Sequence, residues 1–156
     1  MSLSIDQLLE HMSWANQGVY KAISQLPDEA LGAFSAQSEW TVGEILHHTA
    51  AISGILGYRI SGVKKEALAR PTNMQDLQML TSRLLESDQL LIELAQAPDA
   101  EISVTQQGKS QTWLRSTIIS QAIHHATEHR AQAVCALEVK GYSGVNLDDF
   151  HLWAYH

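Results

Sequence analysis

Residues 120–132, SQAIHHATEHRAQ, have the composition expected for the middle of a long helix. Two of the histidines, His125 and His129, are four residues apart. In a helix their rings lie one above the other on one face, with Cβ atoms about 5–6 Å apart. Two imidazoles at that spacing can hold one divalent metal ion, because neutral imidazole is the commonest protein ligand for metals. One helical turn supplies only two such ligands, so a third must come from another part of the chain.

A second histidine-bearing segment, residues 40–48 with the sequence WTVGEILHH, provides the best third ligand. Its TVGE portion has the form of a capping box and predicts the start of a helix. In that helix His48 shares a face with a row of isoleucines, whereas His47 lies about 100° further round. We therefore expect His48, and not His47, to face the core and to join His125 and His129.

The periodicity of apolar residues predicts four amphipathic helices around these segments. Their approximate extents are residues 5–26, 42–62, 72–97 and 112–139. Alternating residues at 101–105 and 110–113, around a turn at 106–109, predict a short β-hairpin or an extended loop before the last helix. We interpret the chain as all-α, a four-helix bundle forming a single domain over residues 1–156.

Composition and charge narrow the functional classes. The 156 residues are 45% hydrophobic, and no apolar run approaches the roughly 20 residues that span a membrane. No signal peptide is visible, and the lone Cys135, expected to be a buried structural thiol, fits a reducing cytoplasm. Net charge is −7, and the densest basic cluster, Lys64-Lys65, is too small to indicate nucleic-acid binding. We predict neither a membrane nor a nucleic-acid partner.

Alternative explanations exist for each of these histidines. A histidine on an apolar face is often a core residue satisfied by hydrogen bonds, although three such placements weaken that reading. Residues 125–129 also match H-x-x-E-H, a zinc-protease pattern in which Glu128 would activate water. Glu44, one turn before His48, is a second weak catalytic candidate. Asn16, Asp88 and Gln132 are polar residues on or beside packing rows and can either line a cavity or be buried with partners.

The two histidine segments together resemble the DinB-like (damage-inducible, YfiT-like) metalloenzyme family. The matching pieces are WTVGEILHH at residues 40–48 and HATEHRAQ at residues 125–132. The family's usual form of the second piece is H-x-x-x-H-R-G-Q, so Ala131 stands where glycine is common. Many members also carry a histidine at the position of Gln121. The order and spacing of the motifs extend the resemblance over nearly the whole chain.

The resemblance implies an up-down-down-up four-helix bundle, often a homodimer, with a zinc, nickel or iron ion held by His48, His125 and His129. Relatives include transferases and isomerases that use bacillithiol, mycothiol or glutathione, and DNA binding is not implied. We therefore expect a cytoplasmic metal-dependent transferase that conjugates a low-molecular-weight thiol to a small electrophile. The alternatives are a metal-dependent hydrolase with Glu128 as base, or a non-catalytic, stress-related metal-binding bundle.

Overall fold

The computed structural model of the chain describes residues 2–155 and is mostly helical. Five α-helices and two strands follow one another in the order α1 (Ile5–Ile23), α2 (Val42–Ser61), α3 (Met74–Ala95), β1 (Glu101–Gln106), β2 (Lys109–Leu114), α4 (Arg115–Val139) and α5 (Leu152–Tyr155). Two 3-10 helices occupy Asp28–Gly32 and Leu147–Phe150. The predicted helical class and the predicted hairpin are confirmed. Within residues 2–155, no helix combines the length and apolar character required to cross a bilayer.

Side-chain caps start the first three helices, with two corrections to the prediction. The S-x-x-Q pattern at residues 4–7 predicts a capping box, and Ser4 and Gln7 form it, since each side chain accepts a hydrogen bond from the other residue's backbone N–H. Thr41 caps α2, but the Glu44 carboxylate pairs with Arg70 at 3.1 Å instead of returning to the cap. The T-x-x-Q pattern at residues 72–75 predicts Thr72 as the cap of α3, but Asn73 caps it.

The core consists of two apolar clusters. Helices α1 and α2 each pack against both α3 and α4. One cluster combines the C-terminal halves of α1 and α4 with the N-terminal halves of α2 and α3, and the other combines the opposite halves. Between the two clusters lies a layer of buried polar side chains: Asn16, Thr49, Ser53, Ser87, Asp88, His129 and Arg130. This polar layer positions the candidate site.

The hairpin and the C-terminal tail cover the outside of the helices. Strands β1 and β2 pair antiparallel from Glu101↔Leu114 to Gln106↔Lys109, and both turn residues have positive φ, as a tight hairpin turn requires. The sequence after residue 141 lacks a regular pattern and predicts an irregular, aromatic-rich tail, but the tail forms a 3-10 helix and the short α5. Phe150 lies so close to Gly18 of α1 that a Cβ there would stand 2.2 Å from its ring. Glycine at position 18 is therefore what lets the tail pack.

Candidate metal centre

The three predicted histidines come together between α2 and α4. The Nε2 atom of His125 lies 3.0 Å from Nε2 of His48 and 3.0 Å from Nε2 of His129. All three potential ligand atoms lie within 4.8 Å of one another. The i, i+4 spacing on α4 places two of the rings edge to face, with centroids 4.2 Å apart, and the inward face of α2 brings the third. The structure therefore brings His48 and His125, 77 positions apart in the chain, into one cluster with His129, and their role as metal ligands stays a prediction.

The hydrogen-bonding capacity of these rings fits a metal better than it fits a closed network. A neutral imidazole nitrogen carries either one hydrogen or one lone pair. Nε2 of His125 faces two other Nε2 atoms, but with one hydrogen or one lone pair it can make only one well-directed hydrogen bond. Three nitrogens bound to one tetrahedral Zn²⁺ at about 2.0–2.1 Å stand about 3.3–3.4 Å apart, close to the spacing observed. The two spacings at His125 match this geometry closely, and the third pair lies within 4.8 Å, so the donor set can hold one divalent cation.

Gln132 fixes the tautomer of His129. Its Oε1 lies 2.8 Å from Nδ1 of His129 and accepts a hydrogen bond from Nε1 of Trp40 at 3.0 Å. Because the indole nitrogen only donates, the atom facing it must be the amide oxygen. The same oxygen then accepts the Nδ1 hydrogen of His129 and leaves the Nε2 lone pair free. This is the usual arrangement around metal-binding histidines, in which an outer partner orients the ring.

The electrostatics keep two of the rings neutral. Burial, reinforced by the neighbouring His129 and His48 rings, lowers the pKa of His125 to about 4. Burial also lowers the pKa of His48, and His129 adds to that shift. Both rings therefore carry available lone pairs at neutral pH, because protonation, which would block ligation, needs a more acidic solution.

The centre is partly exposed and lies beside a cleft. His129 is buried, whereas His48 and His125 are half-buried. The Trp40 ring meets the rings of His48 and His129 edge-on, with centroids 5.3 and 5.7 Å apart. Trp40 also lines an open cleft of about 620 Å³, together with Gln37, Glu39, Glu44 and Arg70. None of the three histidines lines this cleft, so the Trp40 indole stands between the cleft and the centre.

The other histidines and the two glutamates occupy different surroundings. His47 directs its Nε2 to the backbone oxygen of Leu68 at 2.9 Å, and His124 is exposed, so neither belongs to the cluster. Glu128 is exposed on α4, and Glu44 is paired with Arg70. Their candidate catalytic roles remain predictions.

Cys135 corrects a further expectation, because it is exposed and not a buried structural thiol. It follows Val134, which is buried, along α4. The buried face of α4 therefore includes Val134 but not Cys135.

A buried polar network lies behind the centre. The sequence indicated that Asn16 and Asp88 lie on or beside packing rows, but not which residues they contact. Asp88 accepts hydrogen bonds from Asn16 Nδ2 and Ser53 Oγ, both at 2.8 Å. From its position next to His129 the sequence predicts that Arg130 projects sideways into a salt bridge. In the structure it is buried and donates to Asn16 Oδ1 at 2.6 Å. Burial raises the pKa of Asp88 to about 6 and lowers that of Arg130 to about 10. A cavity of about 10 Å³, lined by Asp88 and His125 among others, joins this network to the centre.

Comparison with known proteins agrees with this arrangement. The model of the DinB family matches residues 1–155. Neither a curated protein nor a solved structure matches the chain. The family match covers both histidine segments and the polar layer between them. This chain therefore belongs to the DinB family.

Proposed function

We propose that this protein is a divalent-metal enzyme that transfers a low-molecular-weight thiol to a small electrophilic molecule. The observation that carries the proposal is the convergence of three imidazole Nε2 atoms at 3.0 Å spacings beside an open cleft. Membership of the DinB family supports the same assignment. A divalent cation held by His48, His125 and His129 lowers the pKa of a thiol or of water and so supplies a nucleophile at neutral pH.

The chain's own residues are suited to bind and orient a thiol cosubstrate. The cleft beside Trp40 carries both signs of charge, from Arg70 and from Glu39 and Glu44. Thiols of the glutathione type carry carboxylate and ammonium groups, which such a lining can pair. The Trp40 indole, held by its hydrogen bond to Gln132, provides a fixed apolar wall next to the histidines. These features favour thiol transfer over simple storage of a metal.

In the proposed reaction, the thiol loses its proton and its sulfur forms a bond to the electrophilic carbon. The electron pair of the broken bond leaves with the displaced group, and the thiol proton passes to solvent. No oxidant or reductant is required. The residues hold the sulfur near the electrophile, and such orientation supplies a large part of many rate enhancements.

The proposal extends to architecture and assembly. We place the four long helices in an up-down-down-up bundle, since one apolar cluster combines the C-terminal halves of α1 and α4 with the N-terminal halves of α2 and α3, and the other combines the opposite halves. We also propose a single domain, a homodimer and a cytoplasmic location. The family match over residues 1–155 supports the single domain, and light scattering tests the dimer.

Two measurements on protein purified without added metal test the function. Elemental analysis should find about one zinc, nickel or iron ion per chain. Conjugation of glutathione, bacillithiol or mycothiol to 1-chloro-2,4-dinitrobenzene, followed by absorbance, should depend on that metal. Turnover that survives complete removal of the metal would exclude the proposed mechanism. His124→Ala, which changes an exposed histidine on the same helix, is the matched control for His125→Ala.

The same assay separates the hydrolase alternative. Glu128→Gln should leave thiol conjugation unchanged, because this carboxylate is exposed on α4. If Glu128 instead acts as a base on water, the substitution abolishes ester or amide hydrolysis and spares the metal content. A metal-loaded protein that turns over neither class of substrate would favour the non-catalytic alternative.

A further inference from the structure

A second cavity, of about 540 Å³, lies between α2, residues 62–70, α3 and β1. It is within the range of about 300–1,000 Å³ that is typical of small-molecule sites. Its wall on α2 follows the face of His47, Ala51, Gly54 and Tyr58, whereas His48 lies about 100° round the helix. None of the three histidines of the metal centre lines it. This cavity is therefore distinct from the centre described above.

Small and apolar side chains create the space. Ala50 and Ser87, both buried, lie on the two facing helices. A Cβ on Gly54 would stand 3.6 Å from Ser87 Oγ, so α2 and α3 approach closely here. Further apolar surface comes from Ile55 and Val104. The interior can accommodate an apolar chain or ring.

Two hydrogen bonds hold the outer walls in place. His47 Nε2 contacts the backbone oxygen of Leu68 at 2.9 Å, which ties residues 62–70 to α2. Arg59 Nη2 donates to Gln106 Oε1 at 3.3 Å, which ties the end of β1 to the same helix. The cavity is thus formed before any ligand binds.

The charges around the cavity are strongly one-sided. Four of the chain's ten lysines and arginines line it, namely Arg59, Lys64, Lys65 and Arg83. Only one of the 17 acidic residues, Glu66, does so. In a chain of net charge −7, this concentration of positive charge is a local feature that favours an anionic ligand.

Arg83 supplies an independent indication. Its Nε atom is buried and has no hydrogen-bond partner among residues 2–155. The Glu86 carboxylate forms an ion pair with this atom at 3.6 Å, which is too long for a hydrogen bond, and the Arg83 side chain as a whole is 37% exposed. A buried donor without an acceptor is costly, and such groups in native proteins usually have a partner. A ligand oxygen would provide the missing acceptor.

We propose that this cavity binds an amphipathic organic anion, a carboxylate attached to an apolar chain or ring. The carboxylate pairs with Arg83 and Lys65, and the apolar part packs against Ala51, Ile55 and Val104. Arginine is suited to this role because its planar guanidinium pairs with both oxygens of a carboxylate. The proposal does not depend on the reaction at the metal centre.

Isothermal titration calorimetry with decanoate and decanol tests the proposal on the full chain. Decanoate should bind once per chain, and decanol, which lacks the charge, should bind at least about tenfold more weakly. The double variant Arg83→Gln/Lys65→Gln should weaken decanoate binding by about tenfold or more and leave decanol unchanged. The matched control is Lys21→Gln/Lys109→Gln, which removes the same charge from exposed positions outside the cavity. It should bind decanoate like the wild type.

Two further variants locate the site. Ala51→Trp should fill the cavity and abolish decanoate binding, whereas His125→Ala should retain it. If the double variant fails to fold, Lys65→Gln alone replaces it, because this loop position does not support the core. The single variant should weaken decanoate binding by a smaller factor. No decanoate binding up to about 1 mM, equal affinities for decanoate and decanol, or loss of binding in His125→Ala would each overturn the proposal.

Discussion

The three-histidine centre and the Asp88 network lie side by side in one polar layer, yet their hydrogen bonding differs. Each carboxylate oxygen of Asp88 accepts a hydrogen bond from a protein donor, and the Arg130 guanidinium bonds Asn16 and Thr127. The Nε2 atoms of His48, His125 and His129 face one another. Buried polar groups that are hydrogen-bonded to protein partners stabilise the packing of the helices. The three Nε2 atoms contact only one another and can instead bind a cation.

Replacing a ligand should produce the largest effect. In His125→Ala the metal content should fall from about one ion per chain to below about 0.1, because two imidazoles rarely retain a divalent ion through purification. Inductively coupled plasma mass spectrometry measures this content. His124→Ala should keep its metal, and equal losses in the two variants would contradict the proposed ligand set.

Breaking the Asp88 network should affect stability instead of metal content. Asp88→Ala leaves the buried Arg130 without a nearby counter-charge, so we expect the free energy of unfolding to fall by about 3–5 kcal/mol. Urea denaturation with a chelator present measures it without a contribution from bound metal. Glu86→Ala, at an exposed position of α3, should change stability by less than about 0.5 kcal/mol. If Asp88→Ala lost metal but kept its stability, the assignment of the Asp88 network to stability instead of metal binding would be contradicted.

Gln132 connects the centre to its surroundings and should have an intermediate effect. Gln132→Leu removes the acceptor shared by His129 Nδ1 and Trp40 Nε1, so metal affinity should fall by about 10–100-fold. Competition with a chromophoric chelator measures the affinity. Gln132→Glu keeps an acceptor and should bind more tightly than Gln132→Leu. Gln121→Leu, at an exposed position on α4, is the control and should match the wild type.

The two regions should respond oppositely to pH in metal-free protein. The folded pKa of Asp88, about 6, is above its ordinary value of 3.8, so the free energy of unfolding falls as pH rises between these values. The folded pKa of His125, about 4, is below its ordinary value of 6.5, so the same free energy rises with pH over nearly the same interval. In the wild type these two contributions partly cancel.

Single substitutions separate these contributions. From pH 4 to 6, Asp88→Asn should make the free energy of unfolding rise more steeply with pH than in the wild type. His125→Ala should make it rise less steeply or fall. Chemical denaturation across this pH range measures both slopes, and this is the smallest of the predicted effects. If both substitutions shifted the slope in the same direction, the two regions would not make separate and opposite contributions to the pH dependence.

The helices and the ligand candidates were predictable because they depend on local patterns. Apolar spacing gave the four long helices, and the i, i+4 pair on α4 needed only helical geometry. The choice of His48 over His47 depended on a rotation of 100° per residue, and the contact of His47 with Leu68 agrees with it. The predictions for the cap of α3, for the Glu44 side chain and for the burial of Cys135 were wrong. At each position the sequence allows alternative arrangements that differ little in free energy.

The sequence by itself determined which residues are helical, which face each presents and which three histidines belong together, since all three follow from a period of 3.6 residues and its phase. Only the tertiary structure decided that Gln132 orients His129, that Arg130 turns inward to Asn16 and that four basic side chains surround one cavity. Those features depend on distances between elements that are far apart in the chain. Such distances are set by how the helices pack, which a local pattern does not encode.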